Sequence, residues 1–192
     1  MKYYIGIDPD LRLLNTAIVD ENKKPLAVFA VRNKEGADDV AVANAAVLAW
    51  QLLNDVRAFL IAEAPGVEVV AVIESQNIQY TGHTNTASKQ RVLQVAQVAG
   101  IMAAAFSTLC NDVILVQPNA WKGNVPKEIH HRRIYSWLGI PVGADKSAGN
   151  TYPSEESRNI LTRWTAEKIN PGDFTDINDS LGLALYGATK GL

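Results

Sequence analysis

The chain has 192 residues, 47% of them hydrophobic and 20% charged, with a formal net charge of −2. That length suits one domain with a sizeable core, and the composition is that of an ordinary globular chain. Cys110 is the only cysteine, which excludes an internal disulfide and a cysteine-based zinc site. Without a signal-peptide pattern or an apolar run expected to span a membrane, the expected place is a reducing cytoplasm.

The first element is a strand, Lys2-Tyr3-Tyr4-Ile5-Gly6-Ile7-Asp8, whose β-branched and aromatic residues favour the pleated state. Pro9 stops it. Residues 15–20 and 25–31 read as two further strands around a polar turn at 21–24, an antiparallel meander. From Asp38 or Asp39 to about residue 62, apolar residues recur at helical spacing, and Ala64-Pro65-Gly66 ends the helix. Residues 67–73 form a nearly continuous apolar run ending at Glu74, the pattern of a central strand covered on both faces.

After a polar loop at 75–86 that holds His83, a second helix spans about 87–109. Its small residues Ala96, Gly100 and Ala104 suit close helix approach, either to the sheet or to a second copy of the chain. A short strand at 113–116 stops before Pro118. A helix is expected over 126–138, with proline in its first turn. Residues from about 140 to 172 read as an insertion, with a short helix from 155 to 169. Thr175-Asp176-Ile177-Asn178-Asp179 opens a last helix over 180–190. The expected architecture is one α/β domain over 1–192. It is a mixed five-stranded sheet, three antiparallel strands then two parallel ones, flanked by helices on both faces.

Three sources of carboxylate fall at element ends. Asp8 ends the first strand and Glu74 the central one, and parallel strands deliver their C-terminal ends to one edge, where sites are built. Asp176 and Asp179, three apart, share one face of the last helix and are expected in its first turn, where the dipole favours negative charge. Like charges this close repel unless a cation intervenes. Hard oxygen ligands select Mg²⁺, with Mn²⁺ as a substitute, and two such ions suit phosphodiester hydrolysis. Taken singly, Asp8 also reads as a turn cap with Pro9, and Asp176 as a helix cap with Asp179 as its dipole partner.

The ordered motifs resemble those of the RuvC-type Holliday-junction resolvases, in the ribonuclease H-like nuclease superfamily. Ile5-Gly6-Ile7-Asp8-Pro9 resembles that family's first catalytic motif and Ala71-Val72-Ile73-Glu74 its second. Asp176-Ile177-Asn178-Asp179-Ser180-Leu181-Gly182-Leu183-Ala184 resembles its last, and Gln97-Val98-Ala99-Gly100 echoes its helix after the Glu. The resemblance covers almost the whole chain apart from the insertion. It implies a ribonuclease H-like fold, with Asp8, Glu74, Asp176 and Asp179 as metal-binding catalytic acids. It further implies a homodimer that nicks opposed strands of a four-way DNA junction, in a bacterial or phage-infected cell. Asp10 stands where the family usually has glycine, and no aromatic follows Glu74 closely; Tyr80 is the nearest. The low net charge and the insertion resemble divergent, phage-type members.

Bases cluster at Lys89-Gln90-Arg91 and from Lys122 to Arg133, so the net charge lowers the expectation of DNA binding without closing it. Trp121, Lys122 and Lys127 follow the last strand and suit base stacking and phosphate contact, with Lys122 also able to steady the scissile phosphate. A core Trp121 with solvated lysines is the plainer alternative. His130-His131-Arg132-Arg133 reads as a phosphate-binding face through Arg132 or as a solvated charge run. Lys89 and Arg91 begin the second helix within reach of phosphates.

The leading expectation is a Mg²⁺-dependent, structure-selective DNA endonuclease. The alternatives are a ribonuclease H-type enzyme on RNA–DNA hybrids, or a non-catalytic branched-DNA-binding protein. An ATP-binding protein of the actin and Hsp70 type is set aside, because the chain lacks a second such domain and a second glycine-rich phosphate loop.

Overall fold

The computed structural model describes residues 1–35, 39–76, 86–139 and 174–192. Five strands form one sheet in the order β3-β2-β1-β4-β5. They are β1 (Lys2–Asp8), β2 (Leu13–Asp20), β3 (Pro25–Arg32), β4 (Glu68–Glu74) and β5 (Asp112–Val116). β1–β2 and β2–β3 pair antiparallel, whereas β1–β4 and β4–β5 pair parallel. The expected mixed sheet is therefore present. The expected helix at 155–169, the loop at 77–85 with His83 and Tyr80, and nearly all of the insertion lie outside the described residues.

Side-chain parity along the two central strands divides the core. Tyr3, Ile5 and Ile7 of β1, with Val69, Ala71 and Ile73 of β4, face one apolar cluster. Helices α1 (Asp39–Glu63) and α2 (Thr86–Phe106) cover it. Tyr4, Val70 and Val72 face the other cluster, with Leu181, Ala184 and Leu185 of the last helix, α5 (Phe174–Lys190). Successive side chains alternate between faces, so Asp8 and Glu74 share this second side with α5. In register, Ile7 stands opposite Ile73, which sets the two acids at neighbouring strand ends.

α5 lies directly on β1. A Cβ at Gly6 would overlap the backbone oxygen of Ser180 and nitrogen of Ala184, so only glycine admits the helix this close. Ser180 Oγ also donates to Asn15 Oδ1 on β2, and both residues are buried.

Three boundaries differ from expectation. α5 begins at Phe174, so Asp176 lies in its first turn but Asp179 lies in the next, where the N-terminal dipole no longer accounts for it. α2 ends at Phe106 rather than 109. Ser107 Oγ and Thr108 Oγ1 donate to the carbonyls of Ala104 and Ala105 at 2.8 Å and so cap its end. The helix expected from 126 begins at Lys127, with Pro126 as its N-cap residue. α1 is in fact long and apolar enough to cross a membrane, contrary to the sequence expectation. Here Ala45, Ala49, Leu52, Leu53 and Val56 use that apolar length to pack into the sheet-facing core.

Candidate active site

Beyond β5 the chain makes one short helix, α3 (Pro118–Trp121), and after Lys122 and a turn at Gly123 enters α4 (Lys127–Trp137). Proline at the first helical position starts α3, because its fixed φ suits the turn and its missing N–H is not needed there. This arm lies over the edge of the sheet where β1 and β4 end.

Asp8, Glu74, Asp176 and Asp179 all line one cleft of about 440 Å³, together with Asp10, Arg91, Lys122 and Lys127. Glu74 is 4% exposed and fully engaged. Its Oε2 accepts from Trp121 Nε1 and pairs with Lys122 Nζ, both at 2.9 Å, while Oε1 accepts from Gln76 Nε2 at 3.1 Å. Asp179 is as buried. His131 Nε2 lies 3.1 Å from its Oδ1, and Lys127 Nζ and Lys122 Nζ stand 3.0 and 3.6 Å from its Oδ2.

The charges shift one another in ways that follow from this packing. Burial, then the charges of Asp179 and Glu74, hold the Asp8 carboxyl well above the ordinary carboxylate range, against the pull of Lys122. Burial also works against ionised Asp179. The His131 hydrogen bond and the ammoniums of Lys122 and Lys127 outweigh it and bring that carboxyl down to about 2. Burial likewise opposes charge on both lysines, but Asp179 outweighs it for each, with Glu74 adding to it at Lys122, and holds both pKa values above the usual lysine range. His130, buried against the edge of the Trp121 ring at 4.7 Å between centroids, is pushed by burial down to about 4 and is a neutral imidazole at pH 7.

Among the described residues no three His, Cys, Asp or Glu side chains stand close enough together to form a ready-made metal cage. The donor set nevertheless fits a hard cation. Burial first, and then the charges of Asp179, Glu74 and Asp176, suppress the ionisation of Asp8, and a positive charge, Lys122 Nζ, already bridges Glu74 and Asp179. The ammonium stands in for the cation that the carboxylates call for.

The expected nucleic-acid contacts divide. Lys122, Lys127 and Arg91 line the cleft, with Arg91 also 3.8 Å from Asp10 Oδ2. Trp121 is 7% exposed and spends its N–H on Glu74, so it is no platform for a nucleobase. Gly182 makes room for it: a Cβ there would stand 2.6 Å from the indole. Arg132 is exposed on α4 and Lys89 partly exposed on α2, and neither lines the cleft. His130 and His131 are buried rather than part of a solvated face. His131 is the site residue that sequence reasoning passed over. Its signal was helical phase, since Lys127, His131 and Tyr135 recur every four residues on one face of α4.

No family model and no curated protein matches this chain. Among solved structures, T. thermophilus RuvC in complex with Holliday junction substrate matches with a TM-score of 0.54 at 16% identity, over 100% of this chain and 97% of that one. The fold is ribonuclease H-like. The yeast mitochondrial Holliday junction resolvase Ydc2 is more distant, with a TM-score of 0.39 at 12% identity over 97% of this chain and 75% of that one. In ribonuclease H-like terms, the cleft sits where the first and fourth strands end beneath the last helix.

Proposed function

We propose that this protein is a divalent-ion-dependent, structure-selective DNA endonuclease that resolves four-way junctions by paired nicks. The observation that carries the reading is the gathering of Asp8, Glu74, Asp176 and Asp179 on one cleft with two lysines, at the sheet edge where a ribonuclease H-like fold offers a site. The likeness to a junction-bound resolvase structure supports the substrate class.

The four acids would hold Mg²⁺ or Mn²⁺, which supplies Lewis-acid polarisation of a phosphodiester and a nucleophilic water at neutral pH. The chain's own groups do the rest. Lys122 and Lys127, released from the carboxylates they now neutralise, are placed to bind the scissile phosphate and offset its charge. Arg91, at the cleft's outer wall, is placed to bind a flanking phosphate. The buried Trp121 donates its N–H to Glu74 and so holds that carboxylate in place. A homodimer, with α2 as the candidate contact, would present two clefts to opposed strands in the cytoplasm of the host cell.

With Mg²⁺, purified protein is expected to nick an immobile four-way junction symmetrically and to spare linear duplex. Asp8→Asn and Glu74→Gln are expected to lower cleavage ~10²–10³-fold, the scale of losing a central electrostatic group, while still shifting the junction in a gel with EDTA. Equal cutting of junction, duplex and RNA–DNA hybrid would overturn the substrate assignment. Junction binding with no cleavage under any divalent ion would favour a non-catalytic binder.

A further inference from the structure

We propose that His131 is a positioning residue for Asp179: it fastens one carboxylate oxygen so that the other is presented to a divalent ion in the cleft. The inference rests on the divalent-ion reading above and adds to it a residue outside the four acids.

The geometry is specific. His131 Nε2 and Asp179 Oδ1 are 3.1 Å apart, and the two side chains are each 4% exposed. An ionised carboxylate only accepts, so Nε2 carries the proton and donates. Away from water such a charge-assisted hydrogen bond is strong and holds its acceptor in one orientation. The second oxygen, Oδ2, faces the cleft, where Lys127 at 3.0 Å and Lys122 at 3.6 Å now neutralise it. The carboxylate is thus divided between a fixed inner oxygen and an exchangeable outer one.

Glu74 also takes a ring N–H from the same arm of chain, Trp121 Nε1 to Oε2 at 2.9 Å, although there Lys122 holds the same oxygen. The α3–α4 arm therefore brings one ring N–H to each of the two most enclosed acids. Outer groups of this kind orient first-layer ligands and raise their affinity for an ion, and their loss typically costs 10–100-fold. His131 is not needed to dock α4 on α5. One turn further on, Tyr135 Oη accepts from Asn178 Nδ2, and Ile134 packs in the same cluster as Ile177 and Leu181.

The test is calorimetric titration of ion-free protein with Mn²⁺, without DNA. The variants are His131→Ala, His131→Leu, which fills the space without a donor, and His131→Gln, which carries an N–H at similar reach. Ala and Leu are expected to weaken Mn²⁺ binding about 10–100-fold, and Gln to restore most of it. The gel shift of an immobile junction in EDTA should be the same for all four proteins. Should Ala not fold, Leu carries the comparison. Wild-type affinity in Leu, or a Gln variant no better than Leu, overturns the positioning role. If the wild-type protein itself takes up no Mn²⁺, the divalent-ion reading fails and this inference with it; if it does and the variants match it, this inference fails alone.

Discussion

Asp8 and Asp179 line the same cleft and are shifted in opposite directions, and this sets how the ion-free protein responds to pH. An unfolded aspartate titrates near ~3.9. Asp179, held at about 2, contributes about 2–3 kcal/mol that is complete above that unfolded value and is lost as pH falls through 2. Asp8 works the other way. Its folded value is raised, so its cost is absent below ~3.9 and grows as pH rises toward that raised value. His130 adds a third slope: pushed down to about 4, it removes stability as pH falls from ~6.5 toward 4. The Asp8 contribution is therefore read as a difference between variant and wild type. In EDTA at pH 7, Asp8→Asn is expected to melt above wild type. That gap should close as pH falls toward 4. A variant that melts below wild type at pH 7 would mean that Asp8 is not under strain. Saturating Mg²⁺ should reverse the order, because only wild type keeps the full set of acids.

At the scale of elements, how legible the chain was depended on whether local pattern or tertiary contact set the outcome. β1 and β4 were readable because an apolar run that ends in a carboxylate has one physical solution, a covered strand that delivers its acid to a rim. Period-two alternation then put Asp8 and Glu74 on the same side. The part of the α3–α4 arm before α4 was not readable in this way. Its four-residue helix, the turn at Gly123 and the contacts of Trp121 and Lys122 are set by what lies beneath them, and no periodicity encodes that. The start of α5 was missed for a related reason: the acids at 176 and 179 look like a cap, whereas packing of Ile177 against the sheet cluster carries the helix through them. Gly6 is the point on which this layer turns. Gly6→Ala would drive a methyl group into the backbone of Ser180 and Ala184, and two backbones cannot yield as a flexible side chain can. A loss of at least 1–3 kcal/mol is expected in urea denaturation. Cleavage should also fall, since Asp179 rides on the displaced helix. An Ala variant as stable as wild type would show that α5 sits farther from β1 than described.

For the whole molecule, the proposed paired nicks require two clefts, and so a second copy of this chain. Leu93, Gln97, Gly100 and Ala104 form an exposed stripe on α2, on the side away from the core residues Val98, Met102 and Phe106. A Cβ at Gly100 meets nothing within 4 Å in the single chain, so a larger residue there costs the fold little and burdens only a contact with another copy. If α2 pairs across a two-fold axis, Gly100→Leu should halve the mass seen by light scattering, from about twice to once the 20.9 kDa of one chain, with the folded circular dichroism spectrum kept. The consequence for chemistry is separable. On a supercoiled plasmid that extrudes a cruciform, two clefts acting within one binding event give linear product. One cleft acting alone relaxes the cruciform at its first nick and leaves an open circle. Wild-type protein is expected to yield linear DNA. Both Gly100→Leu and a mixture of wild type with excess Asp8→Asn should shift the product to open circles. Open circles from wild-type protein alone would mean that each chain cuts independently.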